Sequence, residues 1–170
     1  MFNVANLDFI SYIKTMLQTN KIVLLFGKIC SGKSTYADAL CYVTKAKRIT
    51  VSDIVKRVSG KVSRSELQNT AHLDQEIHHE LCQEIDKYEK VVIDGIRQYS
   101  IVLGLVAEYG IDTVDMIWLE VPDEIRKYRF YDRAISKDDI TFEEADARDE
   151  KLGLLELQNK LKDSYSIINN

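Results

Sequence analysis

Gly27-Lys28-Ile29-Cys30-Ser31-Gly32-Lys33-Ser34-Thr35 sets two glycines four residues apart, followed at once by a lysine and two hydroxyls. That spacing is suited to wrapping a polyphosphate. Glycine lets the backbone turn closely around a phosphate. Successive N–H groups of the loop, from Gly27 through Cys30, Ser31 and Gly32, then face the oxygens, and the dipole of a following helix favours their negative charge. Lys33 would reach the β and γ phosphates, Ser34 would bind Mg2+ through its hydroxyl, and Thr35 would add a phosphate contact. Ile29, Cys30 and Ser31 shape the loop with their backbones; no side-chain chemistry is assigned to them. Four fixed choices match by chance in about 1% of chains this long, so an accidental glycine-rich turn is the weaker explanation.

Other charged residues stand where such a loop could use them. Asp94 ends the apolar run Val91-Val92-Ile93 and could orient Mg2+ through water, or else cap a loop. Asp53 ends a neighbouring run, where it could orient or deprotonate an acceptor hydroxyl, or simply cap the next helix. Arg97 follows the Asp94-Gly95 turn and could meet an anionic substrate or the transferring phosphate; surface solvation is its alternative. Arg126, Arg129 and Arg133 recur at three- and four-residue intervals, so they can share a helix face and clamp developing phosphoryl charge. Arg129 and Arg133 are the preferred pair, and Arg148 is a further phosphate contact; a plain charged helix is the competing reading. His78 and His79 are neighbours that point in different helical directions, and no Cys/His cluster completes a metal set with His72, so all three read as helix-surface residues.

The elements that must position these residues alternate along the chain. Leu7, Phe9, Ile10, Ile13, Met16 and Leu17 have helical spacing, ending before Asn20. Ile22 to Phe26 is a continuous apolar run, as expected of a strand covered on both faces. A helix opens at Lys33, and a short strand covers Arg48 to Val51. Ser63 and Glu66 form a candidate capping box for a helix toward Tyr88, whose stripe is Leu73, Ile77, Leu81 and Ile85. Val91 to Gly95 and Val114 to Val121 are strands, separated by a helix from about Ser100 to Tyr109 that Gly110 stops. Pro122 suits the first position of the next helix. Thr141 and Glu144 suggest a second capping box, Gly153 breaks the helix it opens, and Tyr165 to Ile168 is a last short strand. This order predicts a parallel sheet with helices on both sides, in one domain spanning 1–170. Within it, 53–88 is a candidate acceptor-binding helical region. The stretch 129–150, charge-rich from Ser136 to Glu150, is a candidate lid that could exclude water, or a solvated connection.

Composition bounds the rest. With 45% apolar and 29% charged residues, the 170-residue chain has the make-up of a globular domain. A formal net charge of -4 gives no general attraction for nucleic acid or anionic membrane, although Lys56, Arg57, Lys61 and Arg64 could form a local basic patch. Three cysteines without a close pair favour a reducing cytosol over a disulfide framework. No apolar run reaches membrane-spanning length. The first residues lack a basic stretch, and no signal peptide is expected.

Together, the strand leading into Gly27–Thr35, Asp53, the Val91–Arg97 segment and the arginine-bearing helix before a lid resemble the nucleotide-kinase branch of P-loop proteins. That branch includes nucleoside monophosphate kinases and dephospho-CoA kinases. The resemblance implies a P-loop NTPase fold of the three-layer α/β/α kind, with a central parallel sheet and an arginine-bearing lid. It implies ATP and Mg2+ as cofactors, an acceptor beside Asp94-Gly95-Ile96-Arg97, and Arg129 and Arg133 acting on phosphates. A narrower resemblance is to phage 5-hydroxymethyluracil DNA kinases. It is carried by Ser52-Asp53-Ile54-Val55, Arg64 to Leu67, Val92 to Gln98, Thr141-Phe142-Glu143-Glu144 and Leu152-Gly153-Leu154. It implies transfer of the γ-phosphate of ATP to the hydroxymethyl group of a modified base in phage DNA, in the host cytoplasm. A nucleoside monophosphate or other small-molecule nucleotide kinase is the alternative, and a nucleotide-dependent regulatory protein is the alternative of another class. Gly-Ile-Arg-Gln after Asp94 departs from the Gly-Phe-Pro-Arg of adenylate kinases and speaks against that activity. An adenine-binding loop and terminal helix beyond the last strand are short or missing, so ATP over GTP rests on resemblance.

Overall fold

The computed structural model describes residues 21–60, 73–132 and 140–169. Five parallel strands form one sheet in the order β2-β3-β1-β4-β5: β1 Ile22–Phe26, β2 Lys47–Thr50, β3 Val91–Asp94, β4 Val114–Glu120 and β5 Ser166–Asn169. Helices α1 Lys33–Thr44, α2 Val51–Ser59, α3 Asp74–Ile85, α4 Tyr99–Tyr109, α5 Asp123–Asp132, α6 Phe142–Lys151 and α7 Leu154–Leu161 connect and follow them. The result is the three-layer α/β/α architecture that the alternation of elements predicts.

Strand pleating sorts the core into two layers, because successive side chains leave opposite faces. Ile22, Leu24 and Phe26 join Ile93, Met116 and Trp118 on one face, under Ile77, Leu81 and Ile85 of α3, Ile101, Val102 and Leu105 of α4, and Leu154, Leu157 and Leu161 of α7. Val23, Leu25, Val92, Ile117 and Leu119 meet Ala37 and Leu40 of α1 on the other. β1 is buried along its whole length, which explains its unbroken apolar sequence. Its neighbours are β3 and β4, so the chain leaves β1 at the point where the direction of strand order reverses. Parallel-sheet proteins open a ligand crevice there, beyond the carboxyl ends of the strands.

Element boundaries differ from the sequence reading in small, explicable ways. β2 ends at Thr50 and Val51 already begins α2, so Asp53 lies in the first turn of a helix rather than in a loop beyond a strand. β3 stops at Asp94 because Gly95 turns to φ 93. Pro122 stands just before α5: its carbonyl accepts from Ile125 at 3.1 Å and Arg126 at 3.0 Å. The Thr141/Glu144 capping box is formed, and Gly153, at φ 98, separates α6 from α7. Within the charge-rich stretch, Phe142 and Ala145 are buried. The opening helix, the Ser63/Glu66 box, Lys61, Arg64, His72, Arg133 and lid residues 133–139 lie outside the described residues.

Leu81 is fully buried between α3 and the sheet. Leu81→Ala should therefore cost about 2–5 kcal/mol, read as a lower urea midpoint with an unchanged denaturant slope.

Candidate functional site

The loop leaving β1 is shaped by backbone constraints that only particular residues satisfy. Gly27 has φ 142, and a Cβ there would lie 2.7 Å from Ser31 Oγ and 2.8 Å from the Leu119 carbonyl. Gly32, at φ 90, is the N-cap of α1 and supplies no side-chain cap. The first N–H groups of α1, from Lys33, Ser34 and Thr35, thus keep their donors for an anion. Cys30 adopts φ 61 with its side chain buried. Ser31 is also buried, and its N–H donates to the Lys28 carbonyl at 3.2 Å.

Lys33 closes this loop. Its Nζ donates to the carbonyls of Gly27 at 2.6 Å and Lys28 at 2.7 Å, with Ser31 Oγ at 3.4 Å. Loss of hydration pulls the ammonium down to about 8; the Asp149 carboxylate opposes this, the Arg97 guanidinium adds to it, and the Asp94 carboxylate opposes it again. Ser34 and Thr35 are exposed at the mouth of α1.

Asp94 is buried one register position from the end of β1, opposite Leu25. Its Oδ2 accepts from Arg48 Nη2 at 2.6 Å, while Arg48 Nη1 donates to Asp38 at 2.8 Å. Its Oδ1 is buried without a hydrogen-bond partner. A buried carboxylate with one oxygen committed and one left over, its charge acting on Lys33, fits a hydrated Mg2+ that keeps most of its waters. No group of three or more His, Cys, Asp or Glu side chains among the described residues could cage a metal by itself. His78 and His79 instead face Cys82 and Gln83 one turn on, at 3.5 and 2.8 Å.

The arginines divide by role. Arg126 is 1% exposed and reaches three groups: the Ile29 carbonyl at 3.1 Å, Asp146 at 2.6 Å and Asp123 at 2.7 Å. It also lies over the Phe142 ring. It braces the loop from beneath and is spent on that task. Arg129 is half-buried, with Nη1 3.5 Å from the Cys30 carbonyl. Arg97 donates through Nε to Asp149 Oδ1 at 2.9 Å. Arg148 is half-buried on the adjacent face of α6. Asp53 is exposed and faces Lys56 at 3.4 Å within α2.

The sequence reading singles out Arg148, but its neighbour Asp149 joins this cluster by its ion pair with Arg97 and its charge on Lys33. Its side chain is 2% exposed, and its Oδ2 is buried with no hydrogen-bond partner. The signal was present: once Thr141 caps α6, Phe142, Ala145 and Asp149 recur at three and four residues and share the buried face. A carboxylate on an otherwise apolar stripe marks a place where burial needs a charged partner.

A family model described as an AAA domain matches residues 23–151. Solved structures with a similar fold include TT1252 from Thermus thermophilus, at 17% identity and TM-score 0.59, covering 89% of this chain and 88% of that one. Shikimate kinase from Bacteroides thetaiotaomicron is similar at 19% identity and TM-score 0.56, with 88% and 86% covered. Deoxyadenosine kinase from M. mycoides, with products dCMP and a flexible dCDP bound, is similar at 15% and 0.52, with 88% and 89% covered. No curated protein matches the chain in sequence.

Because the Lys33 pKa is lowered, its charged form prevails below about 8 and is lost above it. Affinity for a fluorescent ATP analogue should fall as pH rises through that value, and Lys33→Ala should remove this alkaline loss.

Proposed function

This chain belongs to the AAA domain family, and we propose that it is a Mg2+-dependent phosphotransferase moving the γ-phosphate of ATP to a small hydroxyl-bearing acceptor, nucleotides among them. The observation that carries this reading is the gathering of unlike charges around one loop. The Lys33 ammonium is held on the Gly27 and Lys28 carbonyls, with the Asp94 and Asp149 carboxylates and the Arg97 guanidinium acting on it. A module that only bound nucleotide would need the loop but no second cation acting on Lys33.

In this reading the loop amides and Lys33 hold the β and γ phosphates and meet the charge that develops as the bridging bond to the γ-phosphorus breaks. Bound Mg2+ would be held through Ser34 and, by way of water, Asp94, and would neutralise charge between the β and γ phosphates. The acceptor oxygen forms the new bond to phosphorus and gives up its proton, for which Asp53 is the candidate base. Arg97, Arg129 and Arg133 would hold acceptor or transferring phosphate, and Arg148 would be a further phosphate contact. Cys30, Cys41 and Cys82 form no disulfide, which suits a reducing cytoplasm. No helix among the described residues is long and apolar enough to cross a membrane.

Two observations favour a small acceptor over modified DNA. Shikimate and deoxyadenosine kinases share the fold, and both are named for small acceptors. Of the basic patch, the two described residues are compensated: Lys56 faces Asp53 at 3.4 Å, and Arg57 lies 4.0 and 3.9 Å from Glu80 and Glu84. Phosphorylation of 5-hydroxymethyluracil in phage DNA is the narrower reading that the resemblance supplies, and it shares the same loop chemistry.

The test is transfer from γ-labelled ATP with Mg2+ to a panel of deoxynucleoside monophosphates, hydroxy acids and duplex DNA with or without 5-hydroxymethyluracil. Label on a small acceptor, lost by about 100-fold or more in Lys33→Ala, is the expected result. Label on the modified DNA alone would replace the small acceptor with DNA, and no transfer by a protein that binds ATP would leave a regulatory module. Asp53→Asn should lower kcat while ATP affinity stays within about twofold; equal loss of both would make Asp53 structural.

A further inference from the structure

We propose that Asp149 is a positioning residue that holds Arg97 by its Nε alone and so presets the two terminal amino groups of that guanidinium as a fork for an anion on the acceptor. The proposal rests on the phosphotransferase reading only in naming the anion as the acceptor's. Its geometric content stands without that reading.

Arg97 is gripped at two points. Its Nε donates to Asp149 Oδ1 at 2.9 Å, and its backbone carbonyl lies so close to the α6–α7 corner that a Cβ on Gly153 would come within 3.2 Å of it. Among the described residues no hydrogen bond is formed by either terminal amino group, and the side chain is 28% exposed. A guanidinium fixed at Nε keeps its opposite edge for a bidentate contact with a phosphate or carboxylate. The carboxylate that fixes it is itself immobile: Asp149 is 2% exposed, on a helix face shared with the buried Phe142 and Ala145.

The helix carrying Asp149 is tied to the other half of the site as well. Asp146, one turn earlier, accepts from Arg126 at 2.6 Å and lies 3.9 Å from Lys28 of the loop. Arg126 in turn donates to the Ile29 carbonyl. α6 therefore connects the phosphate loop to Arg97 through two carboxylates three residues apart. Asp149 is also the charged neighbour that acts most strongly on Lys33, so the cations on the two sides share one counter-charge. A carboxylate that merely anchored α6 would need no arginine whose far edge is left over.

The test uses the full chain, 15N-labelled and saturated with Mg2+–ADP so that the loop is filled, and titrated with sodium sulfate. The backbone amide of Gln98 reports binding beside Arg97. Saturable binding in the wild type, weakened about tenfold or more by Asp149→Asn with ADP affinity unchanged, is the expected result. In an Arg97→Lys background, Asp149→Asn should add nothing further. Sulfate affinity unchanged in Asp149→Asn would overturn the proposal. Should Asp149→Asn fail to bind ADP, Arg97→Lys alone decides: it keeps the charge and loses the Nε donor, and wild-type sulfate affinity in it overturns the proposal. With an acceptor in hand, Asp149→Asn should raise the acceptor KM more than it lowers kcat. If sulfate behaves as expected and no acceptor is phosphorylated, the kinase reading fails and the positioning role of Asp149 stands.

Discussion

The Lys33 ammonium, bound to two carbonyls of its own loop, is the interaction on which the site depends. A loop whose N–H groups point inward for phosphate has few donors left to spend on its own carbonyls. Lys33 supplies what the Gly27 and Lys28 carbonyls lack, and it draws the start of α1 against the end of β1. In the proposed reaction the same charge would also meet the ligand, so one side chain would both organise the cradle and serve in it. Its partial loss of hydration is a direct result of that double use.

Everything around the loop serves to keep this arrangement still. β1 lies in the middle of the sheet with both faces covered, so the strand feeding the loop is fixed by core on either side. Beneath the loop, Arg126 offsets the cost of its burial with two carboxylates and a carbonyl. Burial alone would disfavour the charge on Arg126, but its bonds to Asp146 and Asp123 hold its pKa above the ordinary value. The brace thus holds its charge more firmly than an ordinary arginine, whereas burial pulls Lys33 the other way.

Much of this was legible in the sequence, for reasons that can be given residue by residue. The loop was readable because its constraints are backbone constraints, and only glycine meets the close approach at Gly27. The strands were readable because the unbroken run Ile22–Phe26 permits no amphipathic alternative, and α6 because Thr141 and Glu144 make a reciprocal cap. The arginines were harder. Arg126 and Arg129 are three apart on one helix, yet the first is closed in by Asp123, Asp146 and Phe142 while the second is not. The partner Asp146 lies twenty residues away, so no local spacing reveals the difference. Asp149 was missed because charge-rich sequence reads as solvated until the helical phase is fixed and its partner Arg97, fifty-two residues earlier, is brought alongside.

The chain's single tryptophan lies in this framework. Trp118 is 1% exposed on β4, stacked on Tyr165 at 5.5 Å between ring centroids, with its indole N–H on Glu120 at 2.7 Å. The next residue, Leu119, presents the carbonyl against which Gly27 is packed. The indole is therefore sealed from water by the register of β4 with its neighbours, one residue from the backbone that limits the loop. Its emission should be that of a dry, rigid chromophore, shifting to the red only when β4 parts from the sheet. Intrinsic fluorescence thus gives this protein a gauge of its scaffold that is separate from any signal of ligand in the cradle.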